Sequence, residues 1–279
     1  MTRRIRLLLI AAVTLAAVAG VFSLPSLPQS QAYHTFADRR PLLGIPNFLN
    51  VVSNAAFLLV GVLGVSYLSR RRPDSSSDAF IEKRERWPYA VLFLGIALTG
   101  LGSGYYHLSP DNARLVWDRL PMTIAFTAIL SGTVSERIGV KAGLLSLVPL
   151  VLVGMGSVLY WQVTESAGRG DLRPYALVQF YPILAIPLIM LLFPPRYTRS
   201  ADLLGAAALY ALAKVFEALD ARIFAAVPIM SGHTLKHLAA ALATYQILRM
   251  LQKRRPLAAR AAAQPRPPET GASITSPPR

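Results

Sequence analysis

The sequence predicts an all-α polytopic membrane protein, with a core of seven transmembrane helices preceded by one further apolar segment. Three observations carry this expectation. Of the 279 residues, 53% are hydrophobic and only 15% charged, with a mean hydropathy of +0.43, whereas an ordinary soluble domain is about one quarter charged. The apolar residues fall in successive runs close to the length, about 17 to 25 residues, that a helix needs to cross a hydrocarbon layer roughly 30 Å thick. Lys and Arg collect between the runs, more densely at alternate turns, as the positive-inside rule requires of a polytopic chain.

The runs are Leu7 to Phe22, Asn47 to Leu68, Pro88 to His107, Asp118 to Ser135, Ala142 to Tyr160, Tyr175 to Phe193, Ala201 to Glu217 and Gly232 to Leu251. The first follows the basic stretch Met1 to Arg6, is short for a span, and precedes Ser30-Gln31-Ala32, a small-residue pattern suited to signal cleavage. Residues 1–32 therefore read either as a signal peptide or as an extra transmembrane helix, and both readings place Tyr33 outside. Residues 33–252 form the seven-helix domain. Its cation-rich loops hold Arg70, Arg71, Arg72, Lys83, Arg84 and Arg86, then Arg137 and Lys141, then Arg196 and Arg199, then Arg249, Lys253, Arg254 and Arg255. The opposite loops hold Arg39, Arg40, Arg114, Arg169, Arg173 and Arg222. The richer side belongs in the cytoplasm, which puts the C-terminus there and the start of the core outside. Residues 70–86 read as a polar cytoplasmic connection with room for a short interfacial helix. Residues 253–279, rich in Pro, Ala, Arg and Ser, read as a disordered basic tail.

The net charge of +15, from 29 Lys+Arg against 14 Asp+Glu, is accounted for by this topology and by anionic lipid headgroups, so the membrane bilayer is the expected partner and nucleic acid is not. With no Cys, disulfides and thiol catalysis are excluded, and a metal must rest on His and oxygen ligands. The Cys-free, Arg-, Ala- and Pro-rich composition fits a bacterial inner membrane. No internal repeat of the kind that marks inverted-repeat transporters is present.

Ionisable residues inside membrane helices are costly and point to function by default. Ser103 and His107 stand four apart near the end of one run, and His233 and His237 repeat that spacing at the start of the last, so each pair shares a helix face. Asp118 opens the run that follows His107. The predicted orientation brings all five residues to one depth, toward the exterior. Three imidazoles converging there suit an open three-ligand zinc site, with a carboxylate to move a proton and a hydroxyl to support an oxyanion. A zincin-type protease is disfavoured because HExxH is absent. His34, alone in an exterior loop, reads as an ordinary hydrogen-bonded residue. Lys214 and Glu217, at i,i+3 spacing, read as a neutralising pair within a helix.

Gly-Ser-x-x-x-His, an Asp eleven residues later within Trp-Asp-Arg-Leu-Pro-Met, and a late Gly-His-x-x-x-His together resemble the alkaline ceramidases. They also resemble the wider superfamily of seven-helix membrane hydrolases that includes the adiponectin- and progestin-type receptors. Phe48-Leu49-Asn50-Val51-Val52-Ser53-Asn54 is similar to the stretch that opens the first core helix of ceramidases. The resemblance runs from about Asp38 to His237. It implies that His107, His233 and His237 bind Zn2+, that Ser103 and Asp118 complete the site around the catalytic water, and that the substrate is a ceramide-like N-acyl lipid cleaved to a fatty acid and a sphingoid-type amine.

Two departures stand out. Ceramidases hold calcium through paired acids near the first core helix, whereas here Asp38 and Asn47 stand at two of the corresponding places without those acids, which argues against calcium, a cation that prefers several carboxylate oxygens. Lys236 occupies a place between the paired His where ceramidases carry an aromatic residue; it reads as a side chain snorkelling to the exterior interface or as a contact for an anionic or hydroxylated headgroup. A receptor or sensor with structural zinc, an ester-lipid hydrolase on the same site, and a bis-His redox protein remain as alternatives.

Overall fold

A computed structural model of the chain describes residues 1–70 and 79–257. It is helical throughout, with no strand among the described residues. The elements are α1 (Arg3–Ser23), α2 (Phe48–Val52), α3 (Ala55–Ser69), α4 (Arg86–Leu108), α5 (Asn112–Arg137), α6 (Val140–Ser166), α7 (Arg173–Leu192), α8 (Asp202–Ala218), α9 (Asp220–Ala226) and α10 (Gly232–Lys253). Each predicted apolar run is helical, the second being split at Ser53 and Asn54 into α2 and α3. The Ser-Ser-Ser part of the predicted polar connection and the tail beyond Leu257 lie outside the described residues. At the edge of that connection Lys83–Glu85 forms a single 3-10 turn.

Five helical segments among the described residues are long and apolar enough to cross a membrane: Arg3–Ser23, Phe48–Ser69, Lys83–Leu108, Val140–Ser166 and Arg173–Leu192. Of the rest, α8 has only 17 residues, and α5 and α10 carry several interior ionisable groups, among them Asp118, Arg119, Glu136, His233 and Lys236. The outward faces are apolar, as an integral membrane protein requires: on α6, Leu145, Val148 and Leu152 are each more than 60% exposed, an arrangement that water would disfavour and lipid would not.

The bundle is assembled by α4 against α3 and α5, α5 against α6, and α10 against α8, with α1 beside α7. Two of these contacts need glycine. A Cβ on Gly102 would sit 2.0 Å from the Trp117 carbonyl oxygen, so only glycine lets α4 approach α5 this closely, next to Ser103 and Asp118. A Cβ on Gly232 would lie 2.3 Å from the Phe216 carbonyl oxygen and 2.7 Å from Asp220 Cα, so the start of α10 can seat itself against the end of α8. Residues 24–47 pack back onto the bundle. The Leu172 N–H donates to Leu27 O at 2.8 Å, and the Gln29 N–H donates to Glu165 Oε2 at 3.0 Å.

At the opposite end, Glu136 on α5 accepts from Arg254 Nη1 at 2.8 Å, Ser200 Oγ at 3.0 Å and Tyr89 Oη at 3.3 Å. Arg254 is 1% exposed and its guanidinium lies 4.1 Å from the Tyr197 ring centroid. The sequence reading grouped Arg254 with the loop cations that face headgroups; instead it is buried. The segment expected to open a disordered tail is thus bound to the bundle as far as Leu257, whose N–H donates to Arg196 O at 3.0 Å. Removing one partner of a buried ion pair strands the other's charge. Glu136→Gln is therefore expected to destabilise the fold by about 3 kcal/mol, measured as thermal unfolding in detergent; an unchanged midpoint would remove this pair from the interactions that hold the bundle.

Candidate metal centre

The three histidines come from two helices. His107 lies near the C-terminal end of α4, where helix carbonyls lack intrahelical partners, and its own carbonyl accepts from Asn47 Nδ2 at 2.9 Å. His233 and His237 occupy the first turns of α10, which Ser231 caps by accepting from the Thr234 N–H at 3.3 Å. The His233 N–H, another of that helix's free donors, is taken by Asp220 Oδ1 at 2.7 Å, while Asp220 Oδ2 accepts from the Ala37 N–H at 2.9 Å. One carboxylate thereby fixes both α10 and the residue next to Phe36, whose ring covers the cluster 4.6 Å from the His107 centroid and 4.5 Å from that of His233.

One ring nitrogen from each of His107, His233 and His237 lies within 4.8 Å of the others, and all three residues are buried. Nε2 of His107 and Nε2 of His233 are 3.3 Å apart. Two nitrogens each about 2.0–2.1 Å from a tetrahedral zinc stand about 3.3–3.4 Å apart, so this spacing fits the ion. His237 is set for the same role by a relay. Ser53 Oγ donates to Asn50 O at 3.2 Å and accepts from His237 Nδ1 at 2.8 Å. With its proton held on Nδ1, His237 keeps the Nε2 lone pair for a ligand. Three neutral imidazoles with facing nitrogens and no carboxylate among them are poorly matched to one another and well matched to a borderline cation.

Ser103 and Asp118 lie on the facing helices α4 and α5, and both are buried. Together with His237 they line a cavity of about 470 Å³ enclosed by α3, α4, α5, α7, α8, α10 and the loop from Leu27 to Tyr33. Of the five residues expected at the site, His107, His233 and His237 come together as one group, and Ser103, Asp118 and His237 share the cavity wall. The cavity continues to Ile129 and Ile247, about 15 Å farther along their helices at 1.5 Å per residue, and its deep walls are apolar.

The other expected residues are placed as follows. His34 stands apart from the trio, its Nε2 bonded to Asn112 Oδ1 at 2.8 Å and its Nδ1 to Tyr106 Oη at 2.9 Å. Lys236 does not snorkel: its side chain is 16% exposed and its ammonium pairs with Glu217 Oε1 at 2.6 Å. Glu217 also pairs with Lys214, as expected, but all three face the cavity. Asp38 is paired with Arg40 through both carboxylate oxygens at 2.8 Å, and the Arg40 guanidinium holds its carboxyl below the usual carboxylate range. Ser53, Asp220 and Phe36 were not singled out for these roles, although Ser53 lies in the ceramidase-like stretch. Each reaches the site across a long sequence separation that periodicity does not reveal.

No protein-family model matches the chain, and no curated protein matches it significantly.

The purified protein is expected to carry about one metal ion per chain, and His107→Ala or His233→Ala to abolish it, by elemental analysis. Ser53→Ala should keep the fold and weaken metal affinity about 10- to 100-fold, read by chelator competition. A Ser53→Ala protein with unaltered affinity would remove the relay.

Proposed function

We propose that the protein is a zinc-dependent membrane hydrolase that cleaves the amide bond of ceramide-like N-acyl lipids. The observation that carries this reading is the meeting of three buried imidazoles with Ser103 and Asp118 at the polar end of a long apolar cavity. Zinc bound by His107, His233 and His237 supplies Lewis acidity toward an oxygen at that point. The cavity receives the acyl chain, which places the amide carbonyl beside Ser103. Ser103 donates its hydroxyl hydrogen to the carbonyl oxygen as negative charge develops there. Asp118 takes a proton from the attacking water and returns it to the nitrogen. The bond formed joins the water oxygen to the acyl carbon, the bond broken is C–N, and the products are a fatty acid and an amine.

Among the described residues only three side chains gather as metal ligands, which favours an open catalytic site over a structural zinc, where four protein ligands are usual. An ester would be handled by the same groups, with an alcohol as the leaving product.

In this reading α2 with α3, and each of α4, α5, α6, α7, α8 and α10, cross the bilayer as seven spans. The protein resides in a bacterial inner membrane, with the metal site toward the exterior and the C-terminus in the cytoplasm. α1 is an eighth, uncleaved helix, because cleavage after Ala32 would remove Gln29, whose side chain accepts from Arg119 Nη2 at 2.6 Å and whose N–H is bonded to Glu165. Intact-mass measurement is expected to give the full 30.3 kDa; a chain beginning at Tyr33 would show α1 to be a signal peptide.

Asp118→Asn is expected to retain zinc while losing at least about 100-fold in amide hydrolysis, and Ser103→Ala to lose about 100- to 1000-fold, measured as fatty-acid release from N-acyl lipids in detergent. Undiminished turnover by Asp118→Asn would sink its role as proton carrier. A zinc-loaded protein that cleaves neither amide nor ester lipids would leave the receptor reading in place.

A further inference from the structure

Three guanidinium groups are deeply buried, those of Arg119, Arg137 and Arg254, and each leaves one nitrogen without an acceptor. Two of them share one carboxylate. Arg254 and Arg137 both pair with Glu136, at 2.8 and 3.7 Å. Arg119 is different: it is 5% exposed, and among the described residues no carboxylate lies within ion-pair distance of it. Its Nη2 donates to the neutral amide oxygen of Gln29, its Nη1 donates to nothing, and its faces are boxed by Trp161 at 4.4 Å, Tyr175 at 4.7 Å and Tyr33 at 5.6 Å. Aromatic faces attract a cation but do not neutralise it. An arginine keeps its charge in any protein environment, and a buried charge without a counter-ion is costly.

Arg119 also differs in place. Arg137 and Arg254 are remote from the cavity, whereas Arg119 lines it, next in sequence to Asp118. The charged side chains on the cavity wall are Arg119, Lys214 and Lys236 against Asp118 and Glu217. Both lysines form ion pairs with Glu217, so Lys236 is not without a carboxylate partner. The wall thus sets three cations against two carboxylates, and Arg119 is the cation among them that makes no ion pair and keeps a nitrogen without an acceptor.

We propose that Arg119 recognises a negatively charged oxygen group, a carboxylate or a phosphate, on the headgroup of the N-acyl lipid that occupies this cavity. The inference rests on the N-acyl lipid reading above and narrows it from a neutral sphingoid-type amine to an acidic one. Nη1, shielded from solvent and without an acceptor, donates to a headgroup oxygen that moves in beside it from the cavity, while Gln29 holds the other arm of the fork and the aromatic box keeps the guanidinium plane in position. The acyl chain runs the opposite way, toward Ile129 and Ile247.

The test is equilibrium binding to the full-length protein in neutral detergent with matched twelve-carbon probes, about as simple a headgroup series as the charge-assisted bond allows. N-lauroylglycine carries a carboxylate, N-lauroylethanolamine phosphate a phosphate, and N-lauroylethanolamine no charge. At least one anionic probe is expected to bind about tenfold or more tightly than the neutral one, the range of a charge-assisted hydrogen bond; which of the two prevails identifies the acid. Equal binding of all three, which needs no variant to observe, overturns the proposal. Arg119→Gln is expected to abolish the preference and Arg119→Lys to retain part of it; a folded Arg119→Gln protein that keeps the full preference also overturns it. Laurate is the remaining arm, and if it reproduces the Arg119-dependent binding, the guanidinium serves the released acid and the headgroup assignment fails. Fatty-acid release from the same probes separates this inference from the hydrolase reading. Arg119-dependent binding without cleavage keeps the headgroup assignment and removes the hydrolase, whereas cleavage of the neutral probe with no anionic preference does the reverse.

Discussion

A polar atom inside an apolar bundle must be answered by another protein atom or by a ligand, because no water competes for it there. The architecture around the site follows from that constraint. The His107 carbonyl is left over by the end of α4, and Asn47 answers it. The His233 N–H is left over by the start of α10, and Asp220 answers it while holding Ala37. The Ser53 hydroxyl links Asn50 O to His237 Nδ1. When these groups are satisfied, three imidazole nitrogens still lie within 4.8 Å of one another, two of them 3.3 Å apart: a place where the protein has supplied lone pairs and nothing to receive them.

The helix architecture and the five central residues were legible in the sequence because they depend on local spacing. Apolar runs give helices, and i,i+4 spacing puts Ser103 with His107 and His233 with His237 on shared faces. The boundaries moved where capping chemistry competes with hydropathy: α5 begins at Asn112, capped by Asp111 accepting from the Arg114 N–H at 2.7 Å, six residues before the apolar run opened at Asp118. The supporting shell was not legible, since a partner chosen by tertiary contact leaves no periodic trace. Ser53 meets His237 and Lys236 meets Glu217 through packing alone. Lys236 was misread for the same reason: a lysine near a helix start snorkels unless an acid is buried beside it, and only the position of α8 supplies Glu217. Arg254 was misread because cation counts along a loop do not distinguish a headgroup-facing side chain from one turned inward onto Glu136.

The bundle treats its two buried charge clusters differently. Around Glu136 the acid gathers Arg254, Ser200 and Tyr89, so each cation there, Arg137 included, has a carboxylate beside it. At the cavity the matching stops short. Glu217 is shared by two lysines, and Arg119 has an amide and three rings as its direct contacts and no ion pair. A buried polar cluster that is closed on itself holds helices together, whereas one with an excess of donors and an adjoining space is set up for something that enters that space.

The helices that fall short of spanning length or apolarity are α5, α8 and α10, and they carry Asp118 and Arg119, Lys214 and Glu217, and His233, Lys236 and His237 respectively. The more apolar segments, α1, α3, α6 and α7, supply the outward faces or the deep apolar wall. Hydropathy measured along a helix treats every side chain as though it met lipid, yet a residue that faces a cavity meets other protein atoms instead. The loss of apolarity in these three helices falls in part on the faces that line the cavity, and in α5 also on Glu136 and Arg137 at the opposite end. The apolar runs build the envelope, and the residues that interrupt them are the ones whose partners must be found inside it.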